Sequence, residues 1–178
     1  TTGYVEAARE LAAQVRQGQM PEPDAIVVAL GSGGTAAGLA AGLALERLRT
    51  KVIAVCVVGP ALPFVAWTRH LARRAFAEID PAGAIDLDGR IEIDARWLGR
   101  GYGHPTQEGE RATERAASVG IALDPTYTAK AFAAALDRAE RGAEKTVLYW
   151  HTLSSAPISA LVGDDAPALS PDLARMFR

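Results

Sequence analysis

A glycine-rich segment separates an apolar run from an alanine-rich run in the first third of the chain. Its residues are Gly31, Ser32, Gly33, Gly34 and Thr35. Glycines let the backbone turn sharply and bring its N–H groups against an anion, and the serine and threonine hydroxyls can donate hydrogen bonds as well. A helix that follows such a turn directs the positive end of its dipole at the same point. The segment therefore predicts a cradle for a phosphate group.

The order of residues in this segment restricts the kind of phosphate. A nucleoside triphosphate loop continues into Gly-Lys-Ser/Thr, and this segment does not. A dinucleotide loop has glycine at its sixth position and an acidic residue at the end of the next strand, whereas this chain has Ala36 and the apolar pair Val57 and Val58. A single phosphate fits better. The alternative is a tight turn that needs glycine only for its backbone angles.

The runs on either side of the glycines predict the elements that position them. Residues 25–30 are apolar throughout, which is typical of a strand buried on both faces, and residues 36–48 predict a helix. Residues 51–58 repeat the buried-strand pattern. A strand, a helix and a second strand in this order form a right-handed βαβ unit, so we expect a parallel sheet with the glycine segment at its carboxyl edge.

The rest of the sequence predicts further elements of both kinds. They are helices at residues 4–17, within 63–79, from 106–110 through 119 and at 129–141, and strands at residues 91–94, with one wet face, and 146–150, which is buried. Residues 99–105, GRGYGHP, predict a loop. We expect a single α/β domain over residues 1–178, with residues 164–178 as a tail.

Composition argues against several classes of partner. Lys and Arg total 19 and Asp and Glu total 21, for a net charge of −2, so the chain has no positive excess for nucleic acid or a membrane surface. The single cysteine, Cys56, lies in an apolar run, which predicts a buried thiol in a reducing, cytoplasmic setting. His70, His104 and His151 are widely separated, and their spacing predicts no metal site.

Four segments, in order along the chain, resemble motifs of one enzyme family. They are GYVEAA at residues 3–8, GSGGTAAGL at 31–39, GYG at 101–103 and LDPTYTAKA at 123–131. The chain is similar in these segments to fold-type II enzymes that depend on pyridoxal 5'-phosphate (PLP), in the family of D-cysteine desulfhydrase and 1-aminocyclopropane-1-carboxylate deaminase. The resemblance implies a three-layer α-β-α fold with an open, mainly parallel twisted sheet, as the cofactor domain of a longer enzyme.

The resemblance also implies which residues form the site. Residues 31–35 would bind the PLP phosphate, Thr152 would hydrogen-bond its pyridine nitrogen, and Tyr102 and Tyr127 would face the substrate as catalytic residues. The lysine that forms the Schiff base lies upstream in the family, and this sequence begins without a methionine, so we expect that lysine outside this chain. Lys130 is a weaker candidate, because the family has a lysine there in addition to its Schiff-base lysine.

The implied reaction removes the α-proton of a small amino acid and eliminates a β-substituent, which from D-cysteine gives a 2-oxo acid, ammonia and sulfide. Thr128, where the deaminases have glutamate, and the pair Gly33 and Gly34 both favour a desulfhydrase. Leu153 and Ala129 replace glycines of the family pattern. The alternatives are therefore a catalytically inactive PLP- or phosphometabolite-binding homologue and a deaminase-like enzyme. The resemblance implies a homodimer.

Overall fold

The computed structural model describes residues 1–59, 62–154 and 170, which contain five helices and four strands. In chain order these are α1 (Thr2–Arg16), β1 (Ala25–Leu30), α2 (Gly34–Leu45), β2 (Lys51–Cys56), α3 (Leu62–Ile79), β3 (Ile91–Asp94), α4 (Gln107–Ala117), α5 (Thr128–Glu140) and β4 (Val147–Tyr149). Apart from Ser170, the tail predicted at residues 164–178 lies outside the described residues.

The described strands form one parallel sheet in the order β3-β2-β1-β4. β1 lies at the centre and pairs with β2 from Ala25 opposite Lys51 to Leu30 opposite Cys56. On its other side it pairs with β4, and β2 pairs with β3. Because all these pairings are parallel, the carboxyl ends of the strands meet at one edge of the sheet, where open α/β sheets bind their ligands.

Helices cover both faces of the sheet, and alternate residues of β1 point to opposite sides. Ile26, Val28 and Leu30 pack in a cluster with residues of α1, α2 and α3. Ala25 and Val27 pack in a second cluster with alanines of α5. This arrangement explains why the sequence of β1 is apolar throughout, and it confirms the predicted three-layer α-β-α fold with a parallel sheet.

Two glycines of α2 allow α1 to cross it closely. A Cβ at Gly38 would clash with the backbone of Thr1, and a Cβ at Gly42 would lie 2.6 Å from the Cβ of Ala8 and 2.7 Å from the carbonyl oxygen of Val5. The helices therefore meet backbone to backbone, and this fixes α2 and the turn that precedes it.

Replacing Gly42 by alanine is expected to lower the free energy of unfolding by about 1–2 kcal/mol, because the added methyl group overpacks the helix crossing. The midpoint of denaturant unfolding at an unchanged slope measures this loss. Gly3→Ala is the matched control, since Gly3 lies in α1 and its Cβ would meet nothing within 4 Å. The control is expected to leave stability unchanged or raised by at most about 1 kcal/mol. Equal midpoints for Gly42→Ala and the wild type would contradict the prediction.

The structure corrects the predicted boundaries of one helix, α2. α2 begins at Gly34 and ends at Leu45, earlier than the predicted 36–48. It ends because Arg47 has φ 58°, which reverses the chain and lets the N–H of Leu48 bond to the carbonyl of Leu43. The other predicted helices and strands agree with the structure to within about two residues at each end.

Two predictions about strand burial were wrong. β4 was predicted to be buried, but each of its residues is half-buried, because among the described strands it pairs only with β1. The alternation predicted for residues 91–94 would place Asp94 on the wet face of β3, but Asp94 is buried. Its carboxylate accepts hydrogen bonds from the side chains of Arg96, at 2.9 and 2.6 Å, and Trp97, at 3.0 Å. Burial opposes the charge, but the bonds from Arg96 and Trp97 outweigh it and lower the pKa of Asp94.

Candidate functional site

The glycine segment forms the turn from β1 into α2, at the carboxyl edge of the sheet. Gly33 has φ 89° and is the N-cap of α2, and no side chain caps the helix. The carbonyl of Gly33 accepts the first helical hydrogen bond, from the N–H of Ala37 at 2.9 Å. The first N–H groups of α2 have no partner inside the helix, so they can donate to an anion at the positive end of the dipole.

Helix α3 supports this turn from behind. The indole Nε1 of Trp67 donates to the carbonyl of Ser32 at 3.0 Å. No cis peptide is present among the described residues, so the N–H of Gly33 points away from the indole, opposite to that carbonyl. Thr68 is fully buried, and its Oγ1 has no hydrogen-bond partner among the described residues. A Cβ at Gly33 would lie 2.9 Å from this oxygen.

These features fit a phosphate group. A side chain at Gly33 would meet α3, so glycine lets the turn pack closely against that helix, and the bond from Trp67 to the carbonyl of Ser32 leaves the adjoining N–H pointing away from α3. Sequence reasoning missed Trp67 and Thr68, which lie more than thirty residues from the motif. The sequence carries no local signal for them, because their role depends on how α3 packs against the turn.

Both predicted tyrosines lie in this part of the structure, and Tyr127 touches the glycine turn. A Cβ at Gly31 would lie 3.2 Å from Cε1 of Tyr127. The hydroxyls of Tyr127 and Tyr102 are 2.9 Å apart and share a hydrogen bond, and the rings meet edge to face. This bond, followed by burial and the negative charge of Asp124, raises the pKa of Tyr127.

A carboxylate holds Tyr127 in place. Asp124 accepts hydrogen bonds from the backbone N–H groups of Thr126 at 3.0 Å, Tyr127 at 2.7 Å and Thr128 at 3.0 Å. The Thr128 hydroxyl donates to it as well, at 2.6 Å. Burial opposes ionisation, but these bonds outweigh it and lower the pKa of Asp124. Asp124 thus fixes the turn before α5, a role that sequence reasoning did not assign.

Three residues that matter for the choice of reaction have hydrogen-bonding or packing partners in the structure. Thr128 is buried, and its side chain is bonded to Asp124. Ala129 is also buried, and its Cβ faces Gly109 of α4, where an added Cβ would lie 3.5 Å away. The Nζ of Lys130 donates to backbone carbonyls at 3.0 and 3.2 Å, and burial lowers its pKa.

Thr152 follows β4 and is exposed. β4 runs parallel to β1, and the N–H of Trp150 extends the pairing by donating to the carbonyl of Val27 at 2.9 Å. Thr152 therefore lies beyond the same edge of the sheet as the glycine turn. Leu153, the other residue of interest here, is also exposed.

No group of three or more His, Cys, Asp or Glu residues that could hold a metal ion occurs within residues 1–59, 62–154 and 170. His151 is turned to the backbone, with Nε2 2.9 Å from the carbonyl oxygen of Ala122. In the same part of the chain, no helix is both long and apolar enough to cross a membrane.

Comparison with known proteins gives the same family from sequence and from structure. A family model described as pyridoxal-phosphate dependent enzyme matches residues 1–152. A putative 1-aminocyclopropane-1-carboxylate deaminase of Pyrococcus furiosus is 39% identical over 155 residues, which cover 85% of this chain and 45% of that protein. The D-cysteine desulfhydrase of Klebsiella pneumoniae is 37% identical over 141 residues, 76% of this chain and 40% of that protein.

A solved structure is similar as well. The crystal structure of an ACC deaminase homologue superposes with a TM-score of 0.69 at 28% identity, over 83% of this chain and 43% of that one. The chain thus spans less than half the length of each of these relatives. From the family match over residues 1–152 and the identity to these relatives, the chain belongs to the pyridoxal-phosphate dependent enzymes.

Proposed function

We propose that the intact protein containing this chain is a PLP-dependent lyase similar to D-cysteine desulfhydrase. It removes the α-proton of a small amino acid and eliminates a β-substituent, releasing a 2-oxo acid, ammonia and, from D-cysteine, sulfide. The position of Tyr127 carries this proposal, because its ring lies against Gly31 of the glycine turn while its hydroxyl is bonded to Tyr102. Phosphate cradle and phenols therefore form one site.

In this site, Gly31, Ser32, Gly33, Gly34 and Thr35 would hold the phosphate of PLP, and Thr152 would hydrogen-bond its pyridine nitrogen. When bound, PLP supplies an electron sink for the charge that develops as the α-proton leaves. A neutral hydroxyl at Thr152 leaves the ring nitrogen less protonated than a carboxylate would, which suits elimination chemistry. The chain's own contribution is to anchor and orient the ring.

The tyrosine pair supplies the proton chemistry. In the hydrogen bond between the two hydroxyls, one hydroxyl donates and the other accepts. The accepting hydroxyl does not use its own proton in this bond, so it can donate that proton to the substrate. An ordinary phenol is already protonated at neutral pH, and the bond to Tyr102 raises the pKa of Tyr127 further from that range. We assign Tyr127 and Tyr102 as the acid that protonates the leaving group, and Tyr127 is the one that lies against the glycine turn.

The Schiff-base lysine is proposed to lie in the part of the intact protein outside this chain. Lys130 does not fill that role, because its Nζ is buried and bonded to the carbonyls of Leu98 and Gly101. A Schiff base would require the amine to leave both partners.

A deaminase acting on 1-aminocyclopropane-1-carboxylate is the second candidate, since the relative from Pyrococcus furiosus has that putative assignment. The burial of Thr128 favours the desulfhydrase, because at the position where deaminases have glutamate this chain has a hydroxyl that is used by Asp124. An inactive homologue is less favoured, since Ala129 faces Gly109 of α4 and Leu153 is exposed.

The intact protein with PLP is expected to show the visible absorption of lysine-bound cofactor, which borohydride abolishes. It is then expected to release sulfide and pyruvate from D-cysteine and to give no 2-oxobutyrate from 1-aminocyclopropane-1-carboxylate. Tyr127→Phe is expected to lower kcat about 100-fold or more while leaving the absorption band in place. Turnover of the cyclopropane substrate alone would select the deaminase, and an intact band without turnover of either substrate would select the inactive homologue.

We also propose that the protein is a cytoplasmic homodimer with residues 1–178 in one domain. Cys56 supports the reducing setting, since this cysteine is free and buried. The family resemblance supports the dimer. Sedimentation of the intact protein tests the assembly, and a monomer at micromolar concentration would reject it.

A further inference from the structure

Lys130 is an unusual residue for the core of this protein. The residue is 0% exposed, and among the residues that the structure describes it has the largest of the fully buried side chains. A buried ammonium loses its hydration and is retained only where other groups replace the water. Here its Nζ donates to the carbonyl oxygens of Leu98 at 3.0 Å and Gly101 at 3.2 Å. The ammonium of α5 is therefore bonded to the loop that carries Tyr102.

This loop is rich in glycine, and it has a long side-chain bond of its own, from Arg100 Nη2 to His104 Nδ1 at 3.3 Å. Gly99, Gly101 and Gly103 all have positive φ, at 62°, 125° and 77°, and the side chain of Tyr102 is 56% exposed. Within the described part of the chain, the two carbonyls that Lys130 binds otherwise accept only long backbone bonds, of 3.3 Å from Gly101 to Leu98 and 3.4 Å from His104 to Gly101. The bonds from the ammonium are charge-assisted and stronger.

The position of Lys130 relates the two tyrosines. Lys130 comes three residues after Tyr127, so both belong to the start of α5. The carbonyl of Gly101 belongs to the peptide that leads into Tyr102. The Gly101–Tyr102 segment is thus held at two points. Its backbone is held by the bond from Lys130 to the carbonyl of Gly101, and its side chain is held by the bond between the two phenols.

We propose that Lys130 is a positioning residue, whose buried ammonium holds the Leu98–Gly101 turn so that the hydroxyl of Tyr102 meets that of Tyr127. Its importance for turnover rests on the proposed function, but its effect on the tyrosine pair does not. In this role Lys130 does not contact the reacting atoms of the substrate or of PLP. It acts through Tyr102.

The first test observes the phenols directly, without PLP. The intact protein is labelled with 3-fluorotyrosine, and the ¹⁹F resonances of the pair are assigned from Tyr102→Phe and Tyr127→Phe. In Lys130→Met, which keeps the length of the side chain but donates no hydrogen bond, the Tyr102 resonance is expected to narrow and the titration of Tyr127 to move toward that of a free phenol. If Lys130→Met does not fold, Lys130→Gln replaces it, because the shorter glutamine side chain does not reach both carbonyls. The same changes in the Tyr102 resonance and the Tyr127 titration are expected in that variant.

The second test is a double-mutant cycle in the PLP-bound protein. Lys130→Met is expected to lower kcat about tenfold with little change in KM, and to have no further effect once Tyr102 is phenylalanine. Arg138→Met is the matched control, because Arg138 is a buried cation on the same helix whose partners are Glu92 and Glu144. It is expected to lower stability while leaving the tyrosine resonances unchanged.

Unchanged ¹⁹F spectra in both Lys130 variants would overturn the proposal, as would multiplicative losses of kcat in the cycle. An effect of Arg138→Met on the tyrosine pair equal to that of Lys130→Met would also overturn it, since the loss would then be a general effect of destabilising α5. Failure of the proposed function would show instead as the absence of a borohydride-sensitive band in the unsubstituted protein.

Discussion

Replacing Gly33 by alanine is expected to raise the dissociation constant for PLP about 10- to 100-fold, the effect of losing one charge-assisted hydrogen bond. Gly33 has φ 89°, and a Cβ there would lie 2.9 Å from Thr68 Oγ1. Alanine relieves both strains by rotating its peptide, which turns the N–H away from the phosphate. Titration of the apoprotein with PLP, followed by visible absorption, measures the change independently of turnover.

Gly120→Ala separates the effect on the site from general backbone strain. Gly120 also has positive φ, at 78°, but a Cβ there would meet nothing within 4 Å, and its N–H bonds to the carbonyl of Ala117 at the end of α4. This control is expected to cost about 1–2 kcal/mol of stability and to leave PLP affinity within about twofold of the wild type. If Gly33→Ala bound PLP as tightly as Gly120→Ala does, the glycine turn would not be the phosphate cradle.

The sequence predicted the sheet and the glycine turn because both are encoded locally. β1 is apolar at every position, and its covered faces explain that pattern without reference to distant residues. The glycines needed for the turn follow it directly. By contrast, β4 was predicted as buried although it has only one described neighbour, since an apolar run of a few residues does not distinguish a central strand from an edge strand.

The supporting residues of the site could not be predicted in the same way. Trp67 bonds to a carbonyl 35 positions earlier, and Lys130 to carbonyls 29 and 32 positions earlier. These bonds depend on how α3 and α5 pack against the rest of the structure, and no residue spacing in the sequence indicates that packing. A buried lysine in an alanine-rich helix was nevertheless a detectable signal, because a charge there requires partners.

The role of Asp124 depends partly on local sequence and partly on the packing of distant residues. Its bonds to residues 126–128 are local, and aspartate before a helix is a common N-terminal signal. The sequence alone placed it in a turn, but the structure shows that the turn sets the direction of Tyr127. Local chemistry thus predicted the turn, and only the packing of Tyr127 against Gly31 gave the turn a connection to the site.

Asp124→Asn is expected to lower kcat about 10- to 100-fold and the free energy of unfolding by about 1–3 kcal/mol at neutral pH. An asparagine amide accepts hydrogen bonds through one atom only, and its NH₂ group would face the N–H of Thr128. The turn before α5 would then open, and Tyr127 would leave its position against Gly31. Turnover with saturating PLP and denaturant unfolding measure the two losses. Asp86→Asn is the control, because Asp86 is exposed and accepts one backbone bond, from Asp88.

The stability difference is also expected to depend on pH in one direction. The pKa of Asp124 is lowered in the folded protein, so its ionised form contributes stability above the unfolded pKa of about 3.9. That contribution is lost as the pH falls through the lower, folded pKa. The difference between wild type and Asp124→Asn should therefore be constant above about pH 5 and shrink in more acidic solution. A difference that stayed constant through this acid range would show that the carboxylate's charge does not stabilise the turn, and the assignment of Asp124 as the group that holds Tyr127 would have to be withdrawn.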